Sequence, residues 1–189
     1  MTPRPKVVCI RTGSKYGQEY ESRLYGGLLR HATAPFDFEC HGGPYEGWWN
    51  KILLFAPVSR VVYLDLDVVI AGNIDFLFEY NGPFCIMKDP WSGGYNSSVM
   101  SIAPGFGGEL LDRFLLAPES VMKDYPGDQD FITKYVGVVD TWQQLYPGKI
   151  KSYKADNLES GPDGASIVVF HGKPKMADIE EGWVKDAWV

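Results

Sequence analysis

The sequence predicts an α/β fold in which a mostly parallel central sheet is flanked by helices. Short, continuously apolar runs recur along the chain, as expected of central strands that are covered on both faces. Segments with helical spacing of apolar residues separate several of these runs. Glycine and proline cluster at residues 104–108 and 161–164, which indicates surface loops.

The first third of the chain begins with a strand signal and continues with a helix signal. Lys6–Ile10 is an apolar run that Thr12 and Gly13 interrupt, and it predicts the first strand. Residues 16–31 place apolar side chains at four-residue spacing, which predicts an amphipathic helix with Ser14 as a candidate N-cap. Residues 36–40 alternate and predict a second strand.

The next segments lead to a pair of aspartates. Residues 48–55 predict a short buried helix that ends before Pro57, and residues 60–64 predict a strand that delivers Asp65 and Asp67. We expect further strands at 84–87, 97–102, 150–153 and 166–170, and helices at Gly108–Leu116 and 129–136.

Composition limits the possible functions. A chain of 189 residues, 45% hydrophobic, is long enough for one core, so we predict a single domain over residues 1–189. The net charge of -6 argues against nucleic acid as a partner, because backbone binding needs clustered cations. No apolar run approaches the roughly 20 residues that span a bilayer. We therefore expect a cytoplasmic protein without a transmembrane segment, at most peripheral at the membrane.

Cysteine and aromatic usage give two further expectations. Cys9, Cys40 and Cys85 are odd in number, which favours reduced thiols over a disulfide, and no Cys-x-x-Cys pair suggests structural zinc. Six tryptophans and eleven tyrosines suit either a dense core or a cleft in which sugars stack.

Asp65 and Asp67 are the strongest candidates for chemistry. They directly follow a buried strand, where a carboxylate needs a cation, hydrogen-bond donors or solvent. Two carboxylates at positions i and i+2 can converge on one Mn²⁺ or Mg²⁺ ion, which transfer from a nucleoside diphosphate requires. The alternative is an ordinary polar strand end, since such a triplet also arises by chance. Ligands of parallel sheets bind beyond the carboxyl ends of the strands, where this pair is expected.

The same triplet recurs as Asp128-Gln129-Asp130. Gly127 precedes it and a helical segment follows, so Asp128 could serve as a helix N-cap instead of a functional group. Both interpretations stay open at this stage.

Together, four segments of the chain resemble the GT-A-fold glycosyltransferases, in particular the glycogenin-like and lipopolysaccharide-galactosyltransferase-like group, glycosyltransferase family 8. They are, in the family's order, RVVYLDLD at 60–67 with IDFL at 74–77, YNSSVM at 95–100, GDQD at 127–130 and FHGKPK at 170–175. The resemblance covers most of the chain. It implies a metal-dependent, hexosyltransferase-like enzyme that retains anomeric configuration, with a UDP-sugar as donor and a glycan or lipid-linked glycan as acceptor.

The resemblance also implies roles for individual residues. In that group Mn²⁺, or Mg²⁺, is held by residues that correspond to Asp65, Asp67 and His171, while Asp128 and Gln129 flank the anomeric carbon as catalytic candidates. The positions that match donor-binding residues are Thr12, Tyr16, Lys51, Asn96, Gly172, Lys173 and Lys175.

The segment after His171 departs from the family pattern. Gly172 allows close backbone approach, and Lys173 and Lys175 both offer positive charge to a diphosphate. The spacer before Lys173 is shorter than in the family, and Met176 stands where a proline is expected. Which of the two lysines contacts the diphosphate therefore stays open.

Three other functions compete with glycosyl transfer. A sugar-1-phosphate nucleotidyltransferase would carry a glycine-rich, arginine-containing phosphate loop after the first strand, and residues 11–16 lack that pattern. A catalytically silent domain would bind sugar nucleotides without turnover. A metal-dependent hydrolase would need a second cluster of histidine and carboxylate ligands.

Overall fold

Two β-sheets organise the fold of residues 4–189, the part of the chain that the computed structural model describes. The strands are β1 (Lys6–Ile10), β2 (Asp37–His41), β3 (Val61–Leu64), β4 (Val68–Ile70), β5 (Phe84–Lys88), β6 (Tyr95–Ile102), β7 (Asp140–Thr141), β8 (Ile150–Ser152) and β9 (Ile167–Val169).

The central sheet has six strands in the order β2-β1-β3-β6-β5-β7. Strand β1 is parallel to β2 and to β3, and β5 is parallel to β7, whereas β6 is antiparallel to both of its neighbours. The prediction of a mostly parallel sheet is confirmed, with β6 as an antiparallel insertion. A smaller sheet has the order β4-β9-β8, in which β4 and β9 are antiparallel.

Helices pack around both sheets. They are α1 (Gln18–His31), α2 (Phe76–Glu79), α3 (Gly108–Leu116), α4 (Pro118–Asp124), α5 (Asp128–Val136), α6 (Trp142–Leu145) and α7 (Trp183–Ala187), with 3-10 turns at Gly47–Leu54, Leu158–Ser160 and Met176–Asp178. Within residues 4–189, every helix is too short or too polar to cross a membrane.

Two expectations about helices need correction. The segment predicted as a short helix at 48–55 is a 3-10 helix, Gly47–Leu54. Ser14 does not cap α1. The N-cap is Gly17, which has no side chain to form a capping hydrogen bond. The helix instead places Glu19 and Glu21 in its first turn, where carboxylates interact favourably with the helix dipole.

The central strands are buried on both faces, as their continuous apolar runs predict. Val7 and Val62 belong to a core layer shared with α1 and the smaller sheet, whereas Val8 and Tyr63 belong to a layer under α3, α5 and the 3-10 helix. Successive strand residues point to opposite faces, so each run contributes to both layers. Each fully buried aliphatic side chain stabilises the fold by about 1.5–3 kcal/mol.

The segment Asp65-Leu66-Asp67 connects the two sheets. It follows β3 of the central sheet and precedes β4 of the smaller one. The Asp65 amide donates to the Ser98 carbonyl at 2.8 Å, and the Asp67 carbonyl accepts from the Phe170 amide at 2.9 Å. Leu66 between them is buried in the core. These contacts fix the backbone from which both carboxylates project.

Candidate active site

An open cavity of about 540 Å³ lies at the edge of the central sheet where β1 and β3 end. Its size falls within the roughly 300–1,000 Å³ of pockets that hold small ligands. All but one of the site residues predicted from the sequence line it: Thr12, Tyr16, Lys51, Asp65, Asp67, Asn96, Asp128, Gln129, His171, Gly172 and Lys175. The exception is Lys173.

At the base of the cavity, Lys51 pairs with Asp65. The 3-10 helix delivers Lys51, whose Nζ lies 2.9 Å from Oδ1 and 3.1 Å from Oδ2 of Asp65. Tyr63 Oη donates to Asp65 Oδ1 at 2.6 Å. Burial alone would raise the pKa of Asp65, but the Lys51 ammonium and the Tyr63 hydroxyl hold it below its usual value. Asp65 is therefore ionised at neutral pH.

The same lysine also faces Asp128. Lys51 Nζ lies 3.6 Å from Asp128 Oδ2 and donates to Ser97 Oγ at 3.0 Å, and Ser97 Oγ donates to Asp128 Oδ2 at 2.6 Å. Burial raises the pKa of Asp128, which is only 3% exposed, although Lys51 and Ser97 oppose the shift. One buried ammonium thus serves two buried carboxylates, of which Asp65 is the nearer.

The helix-capping alternative for Asp128 is wrong. Gly127 is the N-cap of α5, without a side-chain capping bond, and Asp128 is the first residue of the helix. Its carboxylate turns to Ser97 in the cavity. Gln129, the next residue, accepts from Asn96 Nδ2 at 3.2 Å, so the start of α5 and strand β6 are joined by polar contacts.

Asp67 has different partners. Tyr16 Oη donates to Asp67 Oδ2 at 2.8 Å, and the Lys175 ammonium pairs with the same oxygen. Lys175 Nζ also donates to the Phe170 carbonyl at 2.6 Å. Burial and the neighbouring Asp67 carboxylate raise the pKa of Tyr16 above its usual value, so its hydroxyl stays protonated. Each carboxylate of the pair is therefore matched with its own lysine.

Lys173 and Lys175, between which the sequence did not decide, differ in exposure and in contacts. The Lys175 side chain is 10% exposed and reaches the cavity, whereas the Lys173 side chain is 78% exposed and pairs with Asp178 at 2.8 Å. Gly172, before them, has φ of +66°, a backbone conformation that side chains other than glycine rarely adopt. The turn at Gly172 directs the following segment so that Lys175 returns to the cavity.

His171 lies near Asn96, with 3.4 Å between its Nδ1 and Asn96 Nδ2. Its Nε2 is buried and has no hydrogen-bond partner among the described residues. Burial lowers the pKa of His171 against the opposing effect of the Asp67 carboxylate, which favours the neutral imidazole. A buried polar atom without a partner is costly, so this nitrogen is suited to a ligand.

The donor atoms of Asp65, Asp67 and His171 suit a hard divalent cation, since two carboxylates and a neutral imidazole are ordinary ligands of Mn²⁺. Within residues 4–189, however, no three histidine, cysteine or acidic side chains already form a metal-holding group. Lys51 contacts both oxygens of Asp65 and Lys175 contacts one oxygen of Asp67, so an ion bound here would share these carboxylates with the two lysines.

Thr12 and the ring of Tyr16 form the wall near β1. Thr12 Oγ1 donates to the Gly47 carbonyl at 3.0 Å and so ties the loop after β1 to the 3-10 helix. The roles of both residues in holding a nucleotide stay predictions.

The cavity residues that sequence reasoning missed include two that bond to its carboxylates and two tryptophans. Tyr63 lies two residues before Asp65 and Ser97 directly follows Asn96, so nearness to a predicted residue was the signal that could have found them. Trp48 and Trp91 are half exposed at the cavity, and only the high aromatic content pointed towards them.

No protein-family model matches the chain, and no curated protein sequence does. Solved structures do match. The glycosyltransferase GlyE of Streptococcus pneumoniae TIGR4 superposes with a TM-score of 0.66 at 13% identity, over 98% of this chain and 60% of that one. The chain thus spans about three fifths of the length of GlyE.

Two further structures match over most of both chains. A glycosyltransferase involved in the glycosylation of the major capsid of PBCV-1 has a TM-score of 0.62 at 14% identity, covering 91% of this chain and 95% of that one. The galactosyltransferase LgtC, solved with donor and acceptor sugar analogs, has a TM-score of 0.61 at 12% identity, covering 90% and 88%. At such identities the likeness concerns the fold, and the fold of this chain is the GT-A fold of glycosyltransferases.

Proposed function

We propose that the protein is a glycosyltransferase, which moves a sugar from a nucleoside-diphosphate sugar, a UDP-sugar in the first instance, to an acceptor hydroxyl. The observation that carries the proposal is the arrangement of charge in the cavity. Lys51 and Lys175 place two ammonium groups beside the Asp65 and Asp67 carboxylates, at the end of β3 where α/β sheets bind ligands.

The polar groups beyond these pairs suit a sugar. Asn96, Asp128 and Gln129 offer donors and acceptors side by side, as recognition of several hydroxyls requires. LgtC was solved with donor and acceptor sugar analogs in the same fold. We assign the transferred sugar to this part of the cavity.

In the mechanism, Lys175 stabilises the diphosphate as it leaves, because its ammonium is held at the cavity by the Phe170 carbonyl. Asp128 and Gln129 flank the anomeric carbon, and the Asp128 carboxylate stabilises the positive charge that develops there. Lys51 holds Asp65 and Asp128 in position. By the family resemblance we propose retention of anomeric configuration.

We further propose that Mn²⁺ or Mg²⁺ is the cofactor. Asp65, Asp67 and His171 would hold it, and the unpartnered Nε2 of His171 supports this set. When bound, the ion would act as a Lewis acid and neutralise negative charge on the diphosphate. A cytoplasmic location and a glycan or lipid-linked acceptor stay predictions from the sequence.

The test combines binding with product analysis. Thermal unfolding is measured with UDP-glucose and UDP-galactose, with and without MnCl₂. A ligand at 100 times its Kd adds about 2.7 kcal/mol, which for a chain of this length raises Tm by about 5–11 °C. Asp67→Asn should lose the Mn²⁺-dependent part of the shift, and Asp163→Asn, an exposed aspartate outside the cavity, should keep it.

Products distinguish the competing functions. Release of UDP on transfer to an acceptor supports the glycosyltransferase, whereas release of pyrophosphate from UTP and a sugar 1-phosphate would identify a sugar-1-phosphate nucleotidyltransferase. Binding without turnover, across acceptors that include simple glycosides and lipid-linked sugars, would identify a silent sugar-nucleotide-binding domain.

A further inference from the structure

Trp91 is an exposed aromatic residue at the cavity. It is 58% exposed although it lines the cavity, and it belongs to the loop between β5 and β6. A single exposed apolar side chain is ordinary on a protein surface, so the meaning of Trp91 depends on its place in the cavity.

The loop that carries Trp91 is rigidly built. The Asp89 carboxylate accepts from the Trp91 amide at 2.9 Å and from the Ser92 amide at 2.6 Å, and the Asp89 amide donates to the Gly94 carbonyl at 2.9 Å. Burial would raise the pKa of Asp89, but the amides of Ser92 and Trp91 hold it below its usual value. The loop therefore holds its shape, and the exposure of Trp91 is part of that shape.

Trp91 also has a fixed place beside the reactive groups. Its ring meets the His171 ring edge to face, with centroids 5.1 Å apart and planes at 82°. His171 in turn lies beside Asn96, so Trp91 stands one side chain away from the groups assigned to the donor sugar. A molecule resting on Trp91 would therefore lie near the groups that we assign to the donor sugar.

The polarity of the cavity changes from its interior to this point. Asn96, Ser97 and Asp128 are buried and polar, whereas Trp91 is apolar and open to solvent. The buried groups suit the hydroxyls of an enclosed donor sugar. An acceptor arrives from solvent, and a pyranose presents an apolar C–H face that packs against an aromatic ring while its hydroxyls stay wet.

We propose that Trp91 is the stacking platform of the acceptor site and that the acceptor is a glycan, bound through the C–H face of its terminal sugar. This inference rests on the proposed function. Trp91 then determines which acceptors are used and contributes little to donor binding.

Trp48 provides a matched comparison. It is the other half-exposed tryptophan of the cavity, and its indole nitrogen lies near Gly127, just before α5, where an added Cβ would be 3.3 Å away. Trp48 therefore lies beside Gly127, whereas Trp91, which is 58% exposed, lies beside His171.

The experiment uses the full chain with saturating UDP and MnCl₂, and lactose, maltose and cellobiose as probes. Saturation-transfer NMR and titration measure disaccharide binding, and calorimetry measures UDP binding. We expect at least one disaccharide to bind, and Trp91→Ala to weaken it about tenfold or more, which is about 1.4 kcal/mol. Trp91→Phe keeps a ring and should stay within about threefold, as should Trp48→Ala.

Several results would overturn the inference. They are no disaccharide binding to the UDP-loaded wild type, an equal loss in Trp48→Ala, or a loss of UDP affinity in Trp91→Ala as large as the loss of disaccharide affinity. Failure of the proposed function is distinct. It would appear as a wild type that binds disaccharide through Trp91 but neither binds UDP nor releases it from UDP-sugars.

Discussion

Lys51 Nζ lies 2.9 Å from one carboxylate oxygen of Asp65 and 3.1 Å from the other. Both side chains are largely withdrawn from solvent, and burial would lower the pKa of Lys51 if the carboxylates of Asp128 and Asp65 did not raise it above its usual value. A buried ion pair of this kind need not stabilise a protein more than an apolar pair would, but removing one partner leaves an uncompensated charge.

Replacing Lys51 with methionine should therefore destabilise the protein. Lys51→Met keeps the length of the side chain but leaves Asp65 and Asp128 without their cation, which should lower the free energy of unfolding by about 3–5 kcal/mol. Urea denaturation at pH 7 measures the change. Lys151→Met is the control, because its partner Asp163 is exposed, and should cost about 1 kcal/mol or less. Equal losses of stability in both variants would show that burial of Lys51 does not raise the cost of removing its charge.

Lys175 and a divalent cation should compete for Asp67. Without nucleotide, the Lys175 ammonium pairs with one oxygen of Asp67, a carboxylate that we assign to the metal. Lys175→Met should raise Mn²⁺ affinity in the nucleotide-free protein about fivefold or more, a coupling of about 1 kcal/mol, and should lower UDP affinity. Calorimetric titrations with MnCl₂ and with UDP measure the two effects.

Lys173→Met is the matched control, since Lys173 pairs with Asp178 outside the cavity, and it should change neither affinity more than about twofold. Weaker Mn²⁺ binding in Lys175→Met would contradict the competition between Lys175 and Mn²⁺ for Asp67 and would show that Lys175 supports metal binding.

The sequence predicted those features that depend on local pattern. The continuous apolar runs of β1 and β3 implied burial on both faces, and the position of Asp65 and Asp67 after β3 placed them at the edge where the cavity lies. Both depend on the alternation of strand residues and on the general site of ligand binding in α/β sheets.

Other features depend on tertiary contacts and left no local signal. Strands β4 and β7 are three and two residues long, and they exist because β9 and β5 pair with them. That the Lys175 side chain reaches the cavity and that of Lys173 does not follows from the path of the turn at Gly172, which spacing does not encode. Trp91 carried no signal either, because a single tryptophan in a loop is usually part of a surface or a core.

Asp75 should stabilise the fold from outside the cavity. Its carboxylate accepts from the Thr33 amide at 2.9 Å and from Asn73 Nδ2 at 2.9 Å, and the Thr33 hydroxyl adds a third bond. These bonds join the end of α1 to the segment before α2. Asp75→Asn should lower the free energy of unfolding by about 1 kcal/mol, a figure that allows for solvent screening of a half-buried group.

The pH dependence of this loss has a defined sign. Burial would raise the pKa of Asp75, but the bonds from Thr33 and Asn73 lower it to about 2, below the roughly 3.9 of an unfolded aspartate. The stabilisation is therefore present above pH ~4 and is lost as the pH falls through ~2. Denaturation of wild type and Asp75→Asn between pH 7 and 2.5 should show a gap that narrows only below pH ~4. A gap that is the same at every pH would exclude the carboxylate charge as its cause.

Replacing Asp128 with asparagine should lower activity but not stability. The Lys51 ammonium lies 2.9 Å from Asp65 but 3.6 Å from Asp128, so it offsets the charge of ionised Asp128 less well, and burial raises the pKa of Asp128. A raised carboxyl pKa means that the native state binds the proton more tightly, and stability falls as the pH rises above ~4. Asp128→Asn removes this cost and keeps the side-chain size.

We expect Asp128→Asn to be at least as stable as wild type at pH 7, and more stable by about 1 kcal/mol, while sugar transfer falls about 100-fold or more. Its advantage in urea denaturation should shrink as the pH is lowered towards ~4. UDP affinity should stay within about twofold, because the diphosphate is assigned to Lys175. Asp163→Asn, at an exposed aspartate outside the cavity, is the control for both measurements. A variant that loses stability together with activity would make Asp128 a structural partner of Lys51 instead of a group that acts on the sugar.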